Sequence, residues 1–131
     1  MEINIDDLTV KQVKQLQSLL LPVENKSTIA TRYIGKKVII RSYSAGNHFG
    51  ELVAYDPAYQ TVVVKNSRRL WRWNTVKGIS LSEVALHGIV QANSKITSTI
   101  PEQIVSEVDE IIPASDAAIE SIESAPIFVP G

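Results

Sequence analysis

Apolar and polar positions change their period at definite places along this chain. From Val10 the apolar residues Val13, Leu16, Leu19 and Leu20 recur at helical spacing, with Lys11, Lys14, Gln15 and Gln17 elsewhere around the axis. Asp7 or Thr9 can cap this amphipathic helix, and Pro22 ends it. The polar stretch Val23–Thr31 reads as a linker. From Lys36 the period drops to two. Lys36–Tyr43 puts Val38 and Ile40 on one face and Lys37, Ile39 and Arg41 on the other. Phe49–Tyr55, Gln60–Lys65 and Arg68–Trp73 read as three further strands. Asp56-Pro57-Ala58-Tyr59 suits a type I turn, and Asn66-Ser67 suits a tight hairpin connection. Strands this close in sequence pair antiparallel, as a meander.

Beyond the strands, Ser80-Leu81-Ser82-Glu83 is a capping box that opens a short helix through Val84, Ala85 and Leu86, stopped by Gly88. Residues 89–103 are mostly polar and read as irregular. Gln103–Ile112 reads as one more strand ended by Pro113. Ser115 or Asp116 caps a last helix carrying Ala118, Ile119 and Ile122. The apolar tail Pro126–Gly131 either docks on a neighbouring surface or frays. The expected fold is therefore α+β: an antiparallel β-meander of four to five strands, with an N-terminal amphipathic helix and short C-terminal helices. Residues 1–31 form the helix and linker, 32–113 the β-rich core, and 114–131 the last helix and tail.

Composition narrows this reading. At 44% hydrophobic and 21% charged, the chain of 131 residues has the make-up of a globular protein and the length of one domain. It has no cysteine, which removes disulfides and cysteine-bound zinc and suits a cytoplasmic protein. Met1–Asp7 has neither a basic nor an apolar leader pattern, so no signal peptide is expected. No apolar run approaches the roughly eighteen residues of a membrane span. The net charge of −1 conceals an asymmetry. All thirteen Lys and Arg lie at or before Lys95 alongside seven acids, giving that stretch +6, whereas residues 96–131 hold seven acids and no base, giving −7. Such a division marks an interaction surface, or an acidic segment that folds back on the basic sheet in its own chain or in a neighbouring protomer.

Two stretches can carry chemistry. Ser42-Tyr43-Ser44-Ala45-Gly46-Asn47-His48-Phe49-Gly50 joins the first two strands. Gly46 and Asn47 tolerate positive φ, and the serine hydroxyls, successive amides and His48 could meet phosphate or ribose oxygens. Taken alone, the stretch is more simply an ordinary hairpin loop with a surface histidine. In Arg68-Arg69-Leu70-Trp71-Arg72-Trp73, alternation places Arg69, Trp71 and Trp73 on one face and Arg68, Leu70 and Arg72 on the other. Indoles beside guanidinium groups suit a stacked base and its phosphates, although both tryptophans also fit a core. The basic density favours the first view: nine bases stand against two acids between Arg32 and Lys77.

Catalysis finds less support. His48 and His87 have no metal-ligand spacing, no carboxylate is implied near Ser42, Ser44 and His48, and no phosphate-loop or dinucleotide fingerprint is present. The enzyme reading that survives is a nucleotide phosphodiesterase with His48 as acid or base.

The pattern Tyr33-Ile34-Gly35-Lys36, then Arg41-Ser42-Tyr43-Ser44-Ala45-Gly46 with His48-Phe49-Gly50, then Arg68–Trp73, resembles a domain family of short proteins common in phage and prophage genomes. The likeness covers residues 32–113, and its specific parts are the SYSAGNHFG and RRLWRW stretches. It implies membership of a functional class that includes sponges for nucleotide immune signals, such as cyclic ADP-ribose isomers and cyclic oligonucleotides. The resulting expectation is a non-catalytic, phage-encoded anti-defence protein in the cytoplasm of an infected bacterial host. It would be a homo-oligomer with no cofactor or metal. Its ligand-binding residues would be Arg41, Tyr43, Ser44, Gly46, His48, Arg69, Trp71, Arg72 and Trp73. Two other readings stay open. One is a structural or adaptor protein acting through protein contacts. The other is a single-strand nucleic-acid binder, against which the acidic C-terminal segment argues by repelling a polyanion.

Overall fold

The computed structural model describes residue 29 and residues 31–130. The helix expected over Val10–Leu20 lies outside the described residues. Tyr33–Gly131 forms one compact unit, built on an antiparallel sheet in which β1 (Lys37–Ser42), β2 (Gly46–Asp56) and β3 (Thr61–Arg72) follow one another as a meander. The Asp56 turn is present: its carboxylate accepts from the Ala58 N–H at 3.0 Å, and its carbonyl from Tyr59 at 3.3 Å.

Four expectations change. The two strands expected on either side of Asn66-Ser67 are one strand of 12 residues, β3. β2 is long enough to pair with it on both sides: Glu51 faces Lys65 and Phe49 faces Arg68. The extra residue is absorbed as a bulge at Asn66, whose φ of 50° asparagine tolerates. Gly50 permits the close approach there, because a Cβ on it would stand 3.1 Å from the Ser67 Cβ. The loop expected over Ser42–Gly50 is likewise shorter, since Asn47, His48 and Phe49 pair with Arg41, Ile40 and Ile39. The single strand expected over Gln103–Ile112 is two: β5 (Ile100–Val105) and β6 (Val108–Pro113), turning at Glu107 with φ 53°. A short strand, β4 (Lys95–Ile96), also lies in the stretch expected to be irregular, with Ile96 buried opposite Leu70. The sheet thus has six strands rather than four or five.

Topology then rolls the sheet. β6 pairs with β1, and β5 pairs with β3 on the edge away from β2. These outer strands are joined only through Ser106 and Glu107. Ser42 Oγ donates to the Ser106 carbonyl at 2.6 Å, and the Tyr43 and Val108 amides donate to Glu107 and Gln60. Val38, Ile40, Leu52, Val62, Val64, Val105 and Val108 fill the inside of the roll. Ile39, Phe49, Leu70 and Ile96 face outward under α1 (Leu81–His87) and α2 (Asp116–Glu123). Val38, Ile39 and Ile40 are therefore all fully buried, as expected of a strand covered on both faces.

The helices match their sequence signals. Ser80 and Glu83 form the capping box of α1, and Gly88 ends it. Ser115 caps α2, and its hydroxyl donates to the Leu86 carbonyl at the end of α1. α2 is fixed at its other end by Arg68, which is buried. Nη1 of Arg68 donates to the carbonyls of Ile122 and Ala125, each at 2.7 Å, and Nε donates to that of Thr97 at 2.8 Å. The guanidinium thus adds charged donors to carbonyls in and just past the last turn, at the negative end of the helix dipole. Burial lowers its pKa from the ordinary value, but an arginine remains charged at neutral pH.

Arg68→Met retains the bulk of the side chain but removes the charged donors from these carbonyls. Urea denaturation is expected to show a loss of about 3 kcal/mol. An unchanged midpoint would mean that α2 does not depend on the guanidinium.

Candidate functional site

The tight β1–β2 turn organises the first group of expected site residues. Ser42 Oγ accepts from the Ala45 N–H at 3.0 Å and holds the turn closed. The Ala45 carbonyl in turn accepts from His48 Nε2 at 2.8 Å and from Arg69 Nη2 at 2.6 Å. Arg69 reaches it because β2 and β3 place it opposite His48. Gly46, at φ 79°, leaves room, since a Cβ there would stand 3.1 Å from Arg69 Nη2. Gly46, His48 and Arg69 therefore converge, while Tyr43 (86% exposed) and Ser44 project from the turn. His48 is not a surface histidine; it is 1% exposed, and its Nδ1 has no hydrogen-bond partner. The Nε2 bond makes that nitrogen the proton carrier and leaves Nδ1 a bare lone pair. Burial depresses the His48 pKa below 6.5, and the Arg69 charge depresses it further, against the opposing effect of the Ala45 carbonyl.

The remaining expected residues lie elsewhere. Arg41 is ion-paired with Glu110 at 3.1 Å. Past the bulge, alternation holds from Arg68 to Trp71: Arg68 and Leu70 point into the fold, and Arg69 and Trp71 point out. The register shifts between Leu70 and Arg72, so Arg72 is exposed, and Trp73 packs partly buried against the core under the helices. Trp73 thus does not share the environment of Trp71, which is 66% exposed.

Around Trp71 the fold assembles residues that local sequence pattern does not connect. β4 brings up Lys95, whose Nζ lies 5.3 Å from the centre of the Trp71 ring and 4.7 Å from that of Phe128. Phe128 belongs to the tail, which docks in its own chain through the Phe128 N–H and the Ile96 carbonyl at 2.9 Å. A cavity of about 650 Å³ opens between Trp71, Lys95 and Ile96 and the tail residues Ile127, Phe128 and Pro130. Next to it a second one of about 490 Å³ is lined by Arg72, Asn74, Asn93 and Ser94, and also by Lys95 and Phe128. Lys95 and Phe128 were missed in the sequence; the only signals were the last base before an acidic run and an aromatic residue in an apolar tail.

Charges are sorted across the sheet. The acidic C-terminal segment folds back in cis: Glu123 pairs with Lys37 and Glu110 with Arg41. Lys65 pairs with Glu51 at 3.4 Å. Among the described residues, Arg69, Arg72 and Lys95 have no carboxylate at ion-pair distance. No cluster of His, Asp or Glu suited to a metal occurs among the described residues, and no helix there is long and apolar enough to cross a membrane.

Fold and site together define a small rolled β-sheet domain, backed by two helices, with a basic and aromatic cleft at the C-terminal half of one strand. The chain belongs to the family described as Domain of unknown function (DUF6948), which matches residues 35–122. The match takes in all six strands and ends inside α2, so the tail lies beyond it. Neither a curated protein nor a solved structure matches the chain.

The His48 geometry has a consequence for stability. The unfolded chain binds this proton near pH 6.5, and the folded chain binds it only at lower pH. Between the two values the unfolded form holds more protons, so the His48 contribution is complete above 6.5 and is lost as pH falls toward the folded value. NMR titration is expected to give a His48 midpoint below 6.5, and urea denaturation a smaller loss of stability on acidification for His48→Gln than for the wild type. A His48 midpoint at or above 6.5 would contradict the burial.

Proposed function

We propose that this protein binds and sequesters a small nucleotide-type anion without transforming it. The observation that carries this reading is the group of three cations, Arg69, Arg72 and Lys95, which among the described residues have no carboxylate at ion-pair distance, beside the exposed Trp71 indole. Where the same sheet has no exposed indole, Lys37, Arg41 and Lys65 are each neutralised by an acid. A guanidinium takes phosphate oxygens as a bidentate donor, and an indole face takes a base of any sequence. Trp71 is the stacking platform, Arg72 and Lys95 hold phosphate, and Arg69 extends the positive field along β3.

His48 supports the tight turn in this reading; its bond to Ala45 and its burial leave it poorly placed to exchange protons with a ligand. The likeness of the SYSAGNHFG and RRLWRW stretches to phage proteins gives the finer reading. In it the anion is an immune signal, such as a cyclic ADP-ribose isomer or a cyclic oligonucleotide, held by a homo-oligomeric anti-defence protein in the host cytoplasm.

The test mixes the purified protein with a nucleotide panel, removes unbound material, denatures the protein and identifies what is released. Intact ligand is expected, with Trp71→Ala and Arg72→Ala each lowering affinity about tenfold, given about 1–3 kcal/mol per stacked base. Release of a cleaved product would replace sequestration by phosphodiester hydrolysis. Retention of nothing would remove the binding reading.

A further inference from the structure

We infer that the C-terminal tail is the second wall of the ligand cleft, and that a nucleotide lies across Lys95 with its ring on the Trp71 side and its phosphate on the Arg72 side. The inference rests on the binding reading above and adds residues and an orientation to it. The two neighbouring cavities differ in chemistry. The larger is walled chiefly by carbon, from Trp71 and Ile96 and from Ile127, Phe128 and Pro130 of the tail. The smaller is walled by the Arg72 guanidinium with Asn74, Asn93 and Ser94. In the smaller cavity the Asn74 amide donates to the Asn93 carbonyl and the Ser94 hydroxyl donates to that of Val90. Arg72 and the Asn93 side chain remain as donors for an incoming anion.

Lys95 and Phe128 line both cavities, so a ligand spanning them passes these two residues. The ammonium stands near both rings, held as a cation over π-faces rather than by a carboxylate. It can turn to a phosphate without breaking an ion pair. The tail is held where a wall needs to be. Arg68 fixes the Ala125 carbonyl at 2.7 Å, and three residues later the Phe128 amide is bonded to β4. Phe128 is nevertheless 41% exposed, so docking the tail does not consume the ring in the core.

The experiment uses the full chain and the tightest-binding of AMP, GMP, CMP and UMP, together with its nucleoside and ribose 5-phosphate. Affinities are read by calorimetry and by NMR shift changes. Phe128→Ala is expected to weaken the mononucleotide and the nucleoside about tenfold and to leave ribose 5-phosphate unchanged. Arg72→Ala is expected to weaken the mononucleotide and ribose 5-phosphate and to leave the nucleoside unchanged. Phe128→Tyr, which retains a ring, should restore nucleoside binding and so separates ring loss from misfolding. If the mononucleotide binds and Phe128→Ala changes nothing, the tail wall is overturned while the anion reading stands. Equal weakening of nucleoside and ribose 5-phosphate by Phe128→Ala overturns the orientation. If none of the four mononucleotides binds the wild type, the orientation falls; the reading beneath it falls with it only if the wider nucleotide panel, cyclic species included, also leaves nothing bound.

Discussion

A guanidinium loses several kcal/mol of hydration when it enters a protein interior, and it stays there only if oxygen atoms replace the water. Arg68 meets that condition with carbonyls drawn from two distant parts of the chain, the segment after β4 and the end of α2. The bonds tie the last helix to β3, which carries β2 on one edge and β4 and β5 on the other. They close the outer core, in which Ile39, Phe49 and Leu70 meet Ile122 and Ala125. They also fix the point from which the tail departs toward β4. The inner core, the outer core and the cleft thus share β3, and Arg68 is the residue through which the C-terminal segment is fastened to it.

The same folding back sorts the charge. An acidic segment brought onto a basic sheet neutralises what lies beneath it, and here that is Lys37 and Arg41 at β1. It does not reach the far half of β3. A chain with a net charge of −1 therefore keeps a local positive field around Trp71, where, among the described residues, the cations have no carboxylate at ion-pair distance. The polar groups of the β1–β2 turn go the other way. His48 and Arg69 donate to the Ala45 carbonyl, and Ser42 accepts from the Ala45 amide while donating to Ser106, so these groups hold the turn and tie it to the link between β5 and β6.

Local signals were legible in the sequence wherever the cause is local. The capping box at Ser80, the cap at Ser115, the Asp56 turn and the faces of Val38, Ile39 and Ile40 depend on neighbours a few residues away. What was not legible depends on pairing. Asn66-Ser67 has the composition of a hairpin, and only the length of β2 alongside makes it a bulge. Gln103–Ile112 has continuous strand character, and only the two partner edges split it at Ser106-Glu107. Of the site residues, Trp71 and Arg72 were visible as an aromatic and basic strand. Their partners Lys95 and Phe128 are far away in sequence, and the burial of Arg68 cannot be told from the exposure of Arg69 until α2 is docked.

The most direct measurement is the fluorescence of Trp71 as the only indole, in a Trp73→Phe protein titrated with nucleotide. Trp73 packs against the core and Trp71 faces the cleft, so the remaining emission reports the site alone. Saturable quenching or a spectral shift is expected, reversed by high salt as the phosphate contacts are screened. Emission that stays constant while the ligand binds by calorimetry would place the anion elsewhere and contradict the cleft as its site.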